Sequence, residues 1–171
     1  KKALAIKPDY AEAHNNLGNT LKDLGQLDAA VKSLEKALSI KPDYAEAHNN
    51  LGNALKDLNQ LDTALKSYEK ALAIKPDFAE AHYNLGITHQ GLGQLDAAIK
   101  HYERALEIKP DYTEAFNNLS GVLNELGQPD AAVKSYQKIL DIKPDFAEAH
   151  YNLGIAHKDL GQLDDAAKSL E

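Results

Sequence analysis

Apolar and polar positions along this chain follow a helical rhythm. After Asp9-Tyr10, small or apolar residues fall at Ala13, Leu17, Leu21 and Leu24. Steps of three and four put them on one face of a helix. A second stripe, Ala30, Leu34, Ala37 and Leu38, runs up to Pro42, which cannot continue a helix. Between the stripes stands Gly25, the residue expected where a helix ends in a left-handed turn. Asp9 is expected to cap the first helix, with Glu12 three residues later in a capping-box-like pair. Asp28 is expected to cap the second, as are Asp62, Asp96, Asp130 and Asp164. Pro129 is expected in the inter-helix turn just before the cap Asp130, where it does no harm.

This two-helix pattern recurs every 34 residues. Pro8, Pro42, Pro76, Pro110 and Pro144 keep that step, each within Ile-Lys-Pro-Asp-(Tyr/Phe). The pairs Asn16-Leu17, Asn50-Leu51, Asn84-Leu85, Asn118-Leu119 and Asn152-Leu153 keep it too. The glycine of the turn returns as Asn59, Gly93, Gly127 and Gly161; Asn is the usual substitute in that conformation. Counting from the residue after the aromatic, repeats occupy 11–44, 45–78, 79–112, 113–146 and 147–171. The last is truncated, and 1–10 is the end of a preceding repeat. Both ends fall at the twenty-fifth position, inside a helix, so the chain is expected to be a piece of a longer array or the ordered part of one. The expected domain is one solenoid over 1–171, because a single hairpin cannot bury its own stripe and must stack on the next.

Leu-Gly stands at the seventh and eighth positions (Leu17-Gly18, Leu51-Gly52, Leu85-Gly86, Leu153-Gly154, with Leu119-Ser120 as the variant). Ala stands at the twentieth (Ala30, Ala64, Ala98, Ala132, Ala166) and twenty-seventh (Ala37, Ala71, Ala105), and Pro at the thirty-second. This combination resembles tetratricopeptide (TPR) repeats. It departs from the pattern at Ile139, which implies a local change of helix spacing. It departs again at the fourth position (His14, His48, His82, Phe116, His150) and the eleventh (Leu21, Leu55, His89, Leu123, His157). Asn-Leu-Gly, Gly-Gln-Leu-Asp and Lys-Pro-Asp-(Phe/Tyr) together most resemble the TPR arrays of O-linked N-acetylglucosamine transferases and their bacterial relatives. The resemblance implies an all-α, right-handed superhelix, with first helices on its concave side and second helices on its convex side. Small residues at helix contacts fit it, since they let backbones approach closely.

Among exposed positions, the sixth is Asn in every repeat: Asn16, Asn50, Asn84, Asn118 and Asn152. A carboxamide both donates and accepts, as a peptide unit does, so a row of them suits the backbone of an extended segment. Neighbouring first helices are expected ~10 Å apart, about three residues of extended chain. In the glycosyltransferases that this array resembles, such a ladder contacts target polypeptides. The alternative is that each Asn bonds a neighbouring helix and orients packing. The fifth and ninth positions read Asn15/Asn19, Asn49/Asn53, Tyr83/Ile87, Asn117/Gly121 and Tyr151/Ile155. The polar pairs would extend peptide contact. The Tyr–Ile pairs would form side-chain pockets, or else pack repeats together. Acids at the second position (Glu12, Glu46, Glu80, Glu114, Glu148) and most of the thirteenth suggest an acidic groove, and lysines at the twenty-second and twenty-sixth a basic opposite face. Ordinary solvated surface accounts for the same pattern.

Composition narrows the functions. The 171 residues are 43% hydrophobic and 26% charged, with net charge -7 and no Cys, Met or Trp. Zero Cys excludes disulfides, thiolate metal sites and a cysteine nucleophile. Net negative charge argues against nonspecific nucleic-acid binding. No apolar run approaches the ~20 residues of a membrane span, and no signal-peptide pattern is visible. The compartment stays open, with the cytoplasm favoured. His82/His89 and His150/His157 are two turns apart, ~10 Å, too far to share an ion directly; packing is the expected duty. A chaperone-type carboxylate clamp needs cations where Asn15 and Glu80 stand. Tyr10, Tyr44, Phe78, Tyr112 and Phe146 are expected to staple adjacent repeats. The expectation is a noncatalytic, cofactor-free scaffold, without metal, binding an extended protein or peptide segment. Alternatives are the targeting arm of a larger protein glycosyltransferase, or a module stacking head to tail on its own copies.

Overall fold

The computed structural model describes residues 2–171, with side chains from Ala3 onward; Lys1, within the expected end of a preceding repeat, lies outside the described residues. Among the described residues every regular element is helical: α1 (Lys2–Ile6), α2 (Ala11–Asp23), α3 (Leu27–Ile40), α4 (Ala45–Asp57), α5 (Leu61–Ile74), α6 (Ala79–Gly91), α7 (Leu95–Ile108), α8 (Thr113–Glu125), α9 (Pro129–Ile142), α10 (Ala147–Asp159) and α11 (Leu163–Leu170). The chain forms two compact units, one ending at Thr88 and one spanning His89–Glu171. In the first unit α2 packs on α3 and α4 on α5, while α3 also packs on α4. In the second, α8 packs on α9 and α10 on α11, with α7 against α8 and α9 against α10.

The turns follow from the second residue after each first helix. Gly25, Gly93, Gly127 and Gly161 have φ of +68° to +73°, and Asn59 has φ +60°. In that conformation Gly25 N–H reaches the Lys22 carbonyl and Gln26 N–H the Leu21 carbonyl, both at 2.9 Å. These are the paired bonds that close a helix C-terminus. Asn59 and Gln60 repeat them on Lys56 and Leu55.

The expected aspartate caps are not formed. Tyr10, Tyr44, Tyr112 and Phe146 occupy the cap position of α2, α4, α8 and α10, without a side-chain bond. Asp9 sits one residue too early, 3.9 Å from Lys36. The aromatic is held in place by the lysine three residues before it: Lys7 lies 4.7 Å over Tyr10, Lys41 4.8 Å over Tyr44 and Lys75 4.4 Å over Phe78. Such cation–aromatic contacts fix the chain's entry into the helix. At the second helices Gln26, Gln60, Gln94, Gln128 and Gln162 take the cap position. Asp28 and its equivalents lie inside the first turn, where they still favour the positive end of the helix dipole. Pro129 is likewise not in the turn: it opens α9, where its missing N–H has no partner to lose.

The core of each hairpin is a close crossing filled by one large side chain. Ala30, Ala37, Ala64 and Ala71 are fully buried, as is Ile139 where a small residue is replaced. A Cβ added at Gly18 would stand 2.5 Å from Leu34 Cγ, and one at Gly52 2.5 Å from the Tyr68 ring. A side chain at either position would therefore force its neighbour to move. Ser120 takes this place in α8, fully buried, with its hydroxyl donating to the Phe116 carbonyl at 2.7 Å. Phe78 fulfils the stapling expectation, packing on Ala45, Ala71 and Ala81 of two successive repeats.

Candidate functional site

The first helices align their asparagines by bonding one repeat to the next. Asn50 Nδ2 donates to Asn15 Oδ1 at 3.0 Å, Asn84 Nδ2 to Asn49 Oδ1 at 3.0 Å, and Asn152 Nδ2 to Asn117 Oδ1 at 3.3 Å. Each bond joins a sixth position to the fifth position of the preceding repeat. Asn15 Nδ2 also donates to Asn16 Oδ1 and to the Tyr44 hydroxyl, at 3.4 and 3.5 Å. Burial raises the pKa of Tyr44, the nearby Glu12 and Glu46 carboxylates add to the rise, and the Asn15 bond opposes it.

Placement separates the expected contact residues. Asn16 and Asn19 are exposed, while Asn50, Asn84, Asn118 and Asn152 are half-buried. Asn15 and Asn49 are only 6% and 7% exposed, which corrects their placement among the open polar contacts. They face the following repeat because that is where their amide partner lies. Asn53, half-buried, accepts the Tyr68 hydroxyl at 2.8 Å and so belongs in part to its own hairpin. Tyr151 is 60% exposed beside a half-buried Ile155. Tyr83 and Ile87 are both half-buried.

Electrostatics on this face is milder than the acidic pattern implies. The second-position glutamates are exposed, and Glu46 lies 3.7 Å from Lys75. Asp23 and Asp57 stand 3.0 and 3.8 Å from Lys22 and Lys56. Those twelfth-position lysines offset the thirteenth-position acids, and a reading by acids alone misses them.

The histidines are tied into the backbone. Nε2 of His14, His48, His82 and His150 lies 2.8–3.1 Å from the carbonyl of the proline six residues earlier. His89 and His157 each bond a turn glutamine, Gln94 and Gln162, at 2.6 Å through Nδ1. Among the described residues no three His, Asp or Glu side chains gather as a metal site would require.

Sequence reasoning places Leu34 of the twenty-fourth position in the stripe but does not single out the tyrosines that replace it. Tyr68 and Tyr102 are fully buried and Tyr136 is 2% exposed. Their recurrence as the one bulky residue opposite a glycine or serine is the signal that would have found them. Tyr102 donates to Gln90 Oε1 at 2.8 Å.

A family profile described as TPR repeat matches residues 1–25, 18–58, 52–93 and 121–161, and one described as tetratricopeptide repeat matches 79–112. The chain belongs to the tetratricopeptide repeat family. Two TPR-like solved structures are similar over nearly its full length. The crystal structure of MamA protein is 28% identical with TM-score 0.84, covering 93% of this chain and 87% of that one. YrrB, described as a TPR protein with an unusual peptide-binding site, is 27% identical with TM-score 0.79, covering 98% and 90%. MamA 41-end from Desulfovibrio magneticus RS-1, at 21% identity and TM-score 0.82 over 93% and 90%, shares the fold. No curated protein matches the chain. The TPR positions of this chain thus comprise a packed set, led by the twenty-fourth-position tyrosines, and a half-open row of first-helix amides.

Proposed function

We propose that this chain is a noncatalytic scaffold that holds an extended segment of another protein along its first-helix face. The reading rests on the sixth-position amide, present in every repeat and, at Asn50, Asn84 and Asn152, bonded at 3.0–3.3 Å to the repeat before it. An asparagine amide has two N–H groups and an acceptor oxygen, so one inter-repeat bond does not exhaust it. Packing duty and peptide contact are therefore compatible in one residue. Asn16, Asn50, Asn84, Asn118 and Asn152 would address the guest's backbone, Asn19 and Asn53 would extend that row, and Tyr83–Ile87 and Tyr151–Ile155 would sort its side chains. Exposed second-position glutamates and a net charge of -7 favour a neutral or basic guest over a nucleic acid. The description of YrrB as peptide-binding supports the class of ligand.

Each amide contact contributes about 0.5–1.5 kcal/mol, so several must be removed together. The test uses peptides selected on the native chain from a random library. All five sixth-position asparagines are changed to Ala, together with Asn15, Asn49 and Asn117, so that no buried amide loses its partner alone. With helicity intact by circular dichroism, peptide affinity is expected to fall at least tenfold. Undiminished binding removes the amide row from recognition.

The likeness of Asn-Leu-Gly and Gly-Gln-Leu-Asp to glycosyltransferase arrays favours a second reading, the targeting arm of a larger enzyme. The open reading frame beyond Glu171 decides it. Self-association is favoured by exposed leucines, Leu24 at 66%, Leu163 at 67% and Leu170 at 54%. Light scattering against concentration tests it, and a strict monomer at high concentration rejects it.

A further inference from the structure

The second helices of the His89–Glu171 unit bound a trough that the amide row does not use. It encloses about 950 Å³ between α7 and α9. Its floor is Leu106, Phe116, Leu119 and Leu123, with Ile142 on the α9 side. Ile142 is 41% exposed, so apolar surface reaches the rim. The walls carry opposite charge: Glu103 and Glu107 line the α7 side, Lys134 and Lys138 the α9 side, all exposed, with Asp141 toward the end of α9. Glu107 accepts from Arg104 at 2.8 Å, which leaves Glu103 the stronger anion of its wall.

The same wall chemistry recurs in the other unit. A smaller trough of about 580 Å³ lies between α3 and α5, with Glu35 on one wall and Lys70 on the other. Leu38, Leu51 and Ile74 line it together with His48, whose buried Nδ1 has no hydrogen-bond partner. The charge polarity is thus a property of the repeat, from acid at the twenty-fifth position and lysine at the twenty-sixth. The second unit adds volume and replaces the histidine by Phe116.

We propose that the α7–α9 trough docks an amphipathic helix with a basic flank against Glu103 and an acidic flank against Lys134 and Lys138. Backbone chemistry selects a helix over an extended strand. Both walls are helices whose main-chain groups are already paired internally, and the floor is apolar, so an extended segment would find only scattered rim side chains such as Gln128 and Ser135 for its peptide groups. A helix arrives with its own groups satisfied and inserts side chains as ridges into the trough. The α9 wall residues Ala131, Lys134, Ser135, Lys138, Asp141 and Ile142 span three turns, about 16 Å. This surface is independent of the first-helix face, so one chain can hold an extended segment and a helix together.

The test uses three designed 18-residue helices with one leucine stripe, differing only in flanks: one Lys and one Glu flank, both Glu, or both Lys. Reversing a helix exchanges its flanks, so the comparison is mixed against uniform charge. Fluorescence anisotropy is expected to give at least tenfold tighter binding of the mixed helix, with hydrogen-exchange protection along α7 and α9. Ile142→Asp, at an exposed position, should abolish that binding while circular dichroism stays native. Glu103→Lys with Glu107→Lys makes both walls basic and should transfer the preference to the all-Glu helix. Equal affinity for all three peptides, protection elsewhere, or binding unaffected by Ile142→Asp would overturn the proposal.

Discussion

The second and fourth repeats, α4–α5 and α8–α9, share a backbone plan and part at the fourth and eighth positions of the first helix, among others. In the second, His48 Nε2 lies 2.9 Å from the Pro42 carbonyl, and Gly52 leaves room for the fully buried Tyr68 ring. In the fourth, Phe116 has no N–H to offer a carbonyl, and Ser120 stands where the glycine was. Ser120 satisfies its hydroxyl on its own helix, at the Phe116 carbonyl. The trough beside Phe116 holds about 950 Å³, that beside His48 about 580 Å³. One repeat secures its entry loop by a hydrogen bond, the other by apolar volume. A repeat fold tolerates either, because its stability is a sum of hairpin and neighbour terms rather than one shared core.

Substitutions sharpen that contrast. The largest effect is expected from Phe116→Ala, which removes a ring only 8% exposed and should cost about 3–5 kcal/mol. His48→Ala removes a ring just as buried, 9% exposed, but should cost less, roughly 1–3 kcal/mol, because an imidazole carries less apolar surface than a phenyl ring and its one hydrogen bond adds only modestly. Chemical denaturation measures both, and equal losses would erase the distinction between the two anchors.

Next comes the eighth position. Gly52→Ala drives a methyl into the Tyr68 ring and is expected to cost about 1–3 kcal/mol. Ser120→Ala keeps the methyl already accommodated there and should stay within about 1 kcal/mol. Thermal melts of the pair decide whether the crossing is tighter at Gly52.

The buried phenols give a pH-dependent version of the comparison. Burial pushes the Tyr136 phenol up to about 12. Burial raises Tyr68 further, the Asp57 carboxylate adds to it, and the Thr88 hydroxyl opposes it. A raised pKa means the native state keeps its proton longer than the unfolded chain. The stabilisation is therefore full below about pH 10, the ordinary tyrosine value, and is lost as pH rises through the native one. Absorbance at 295 nm should show these tyrosines ionising only with unfolding above pH 10, and Tyr136→Phe should weaken the alkaline loss of stability. Free titration near pH 10 in the native state would contradict their burial.

The smallest expected effect is at the turn. Asn59 carries φ +60° where the fourth repeat has Gly127 at +68°. Asn59→Gly should change stability by less than about 1 kcal/mol, since relief of left-handed strain is offset by a freer unfolded chain. Gly127→Ala should destabilise by about 1 kcal/mol.

Much of this was legible in the residues. The period, the helix pairs and the left-handed turns follow from Gly25 and Pro42 because those residues restrict their own backbone. The caps were not, because Asp9 is a good cap by type but Tyr10 holds the position, under Lys7. The site was half legible. The row at Asn16, Asn50 and Asn84 is visible as a period, but the burial of Asn15 and Asn49 depends on how one hairpin is rotated against the next. That rotation is a property of two elements together, and the stripe of a single helix does not contain it. The pairing of Lys22 with Asp23 and of Lys56 with Asp57 is not contained in the position types, because it depends on which neighbour each side chain meets.

The hydrogen bond from the Asn50 amide back to Asn15 has a genetic corollary. Donor and acceptor sit side by side in the same hairpin, so a duplicated repeat of that type brings both halves of a new joint with it. An array can lengthen by copying without inventing a seam. A repeat with tyrosine at the fifth position, such as the one bearing Tyr151, offers a hydroxyl in place of that amide, which makes the order of copies, and not only their number, consequential for how the stitching is made.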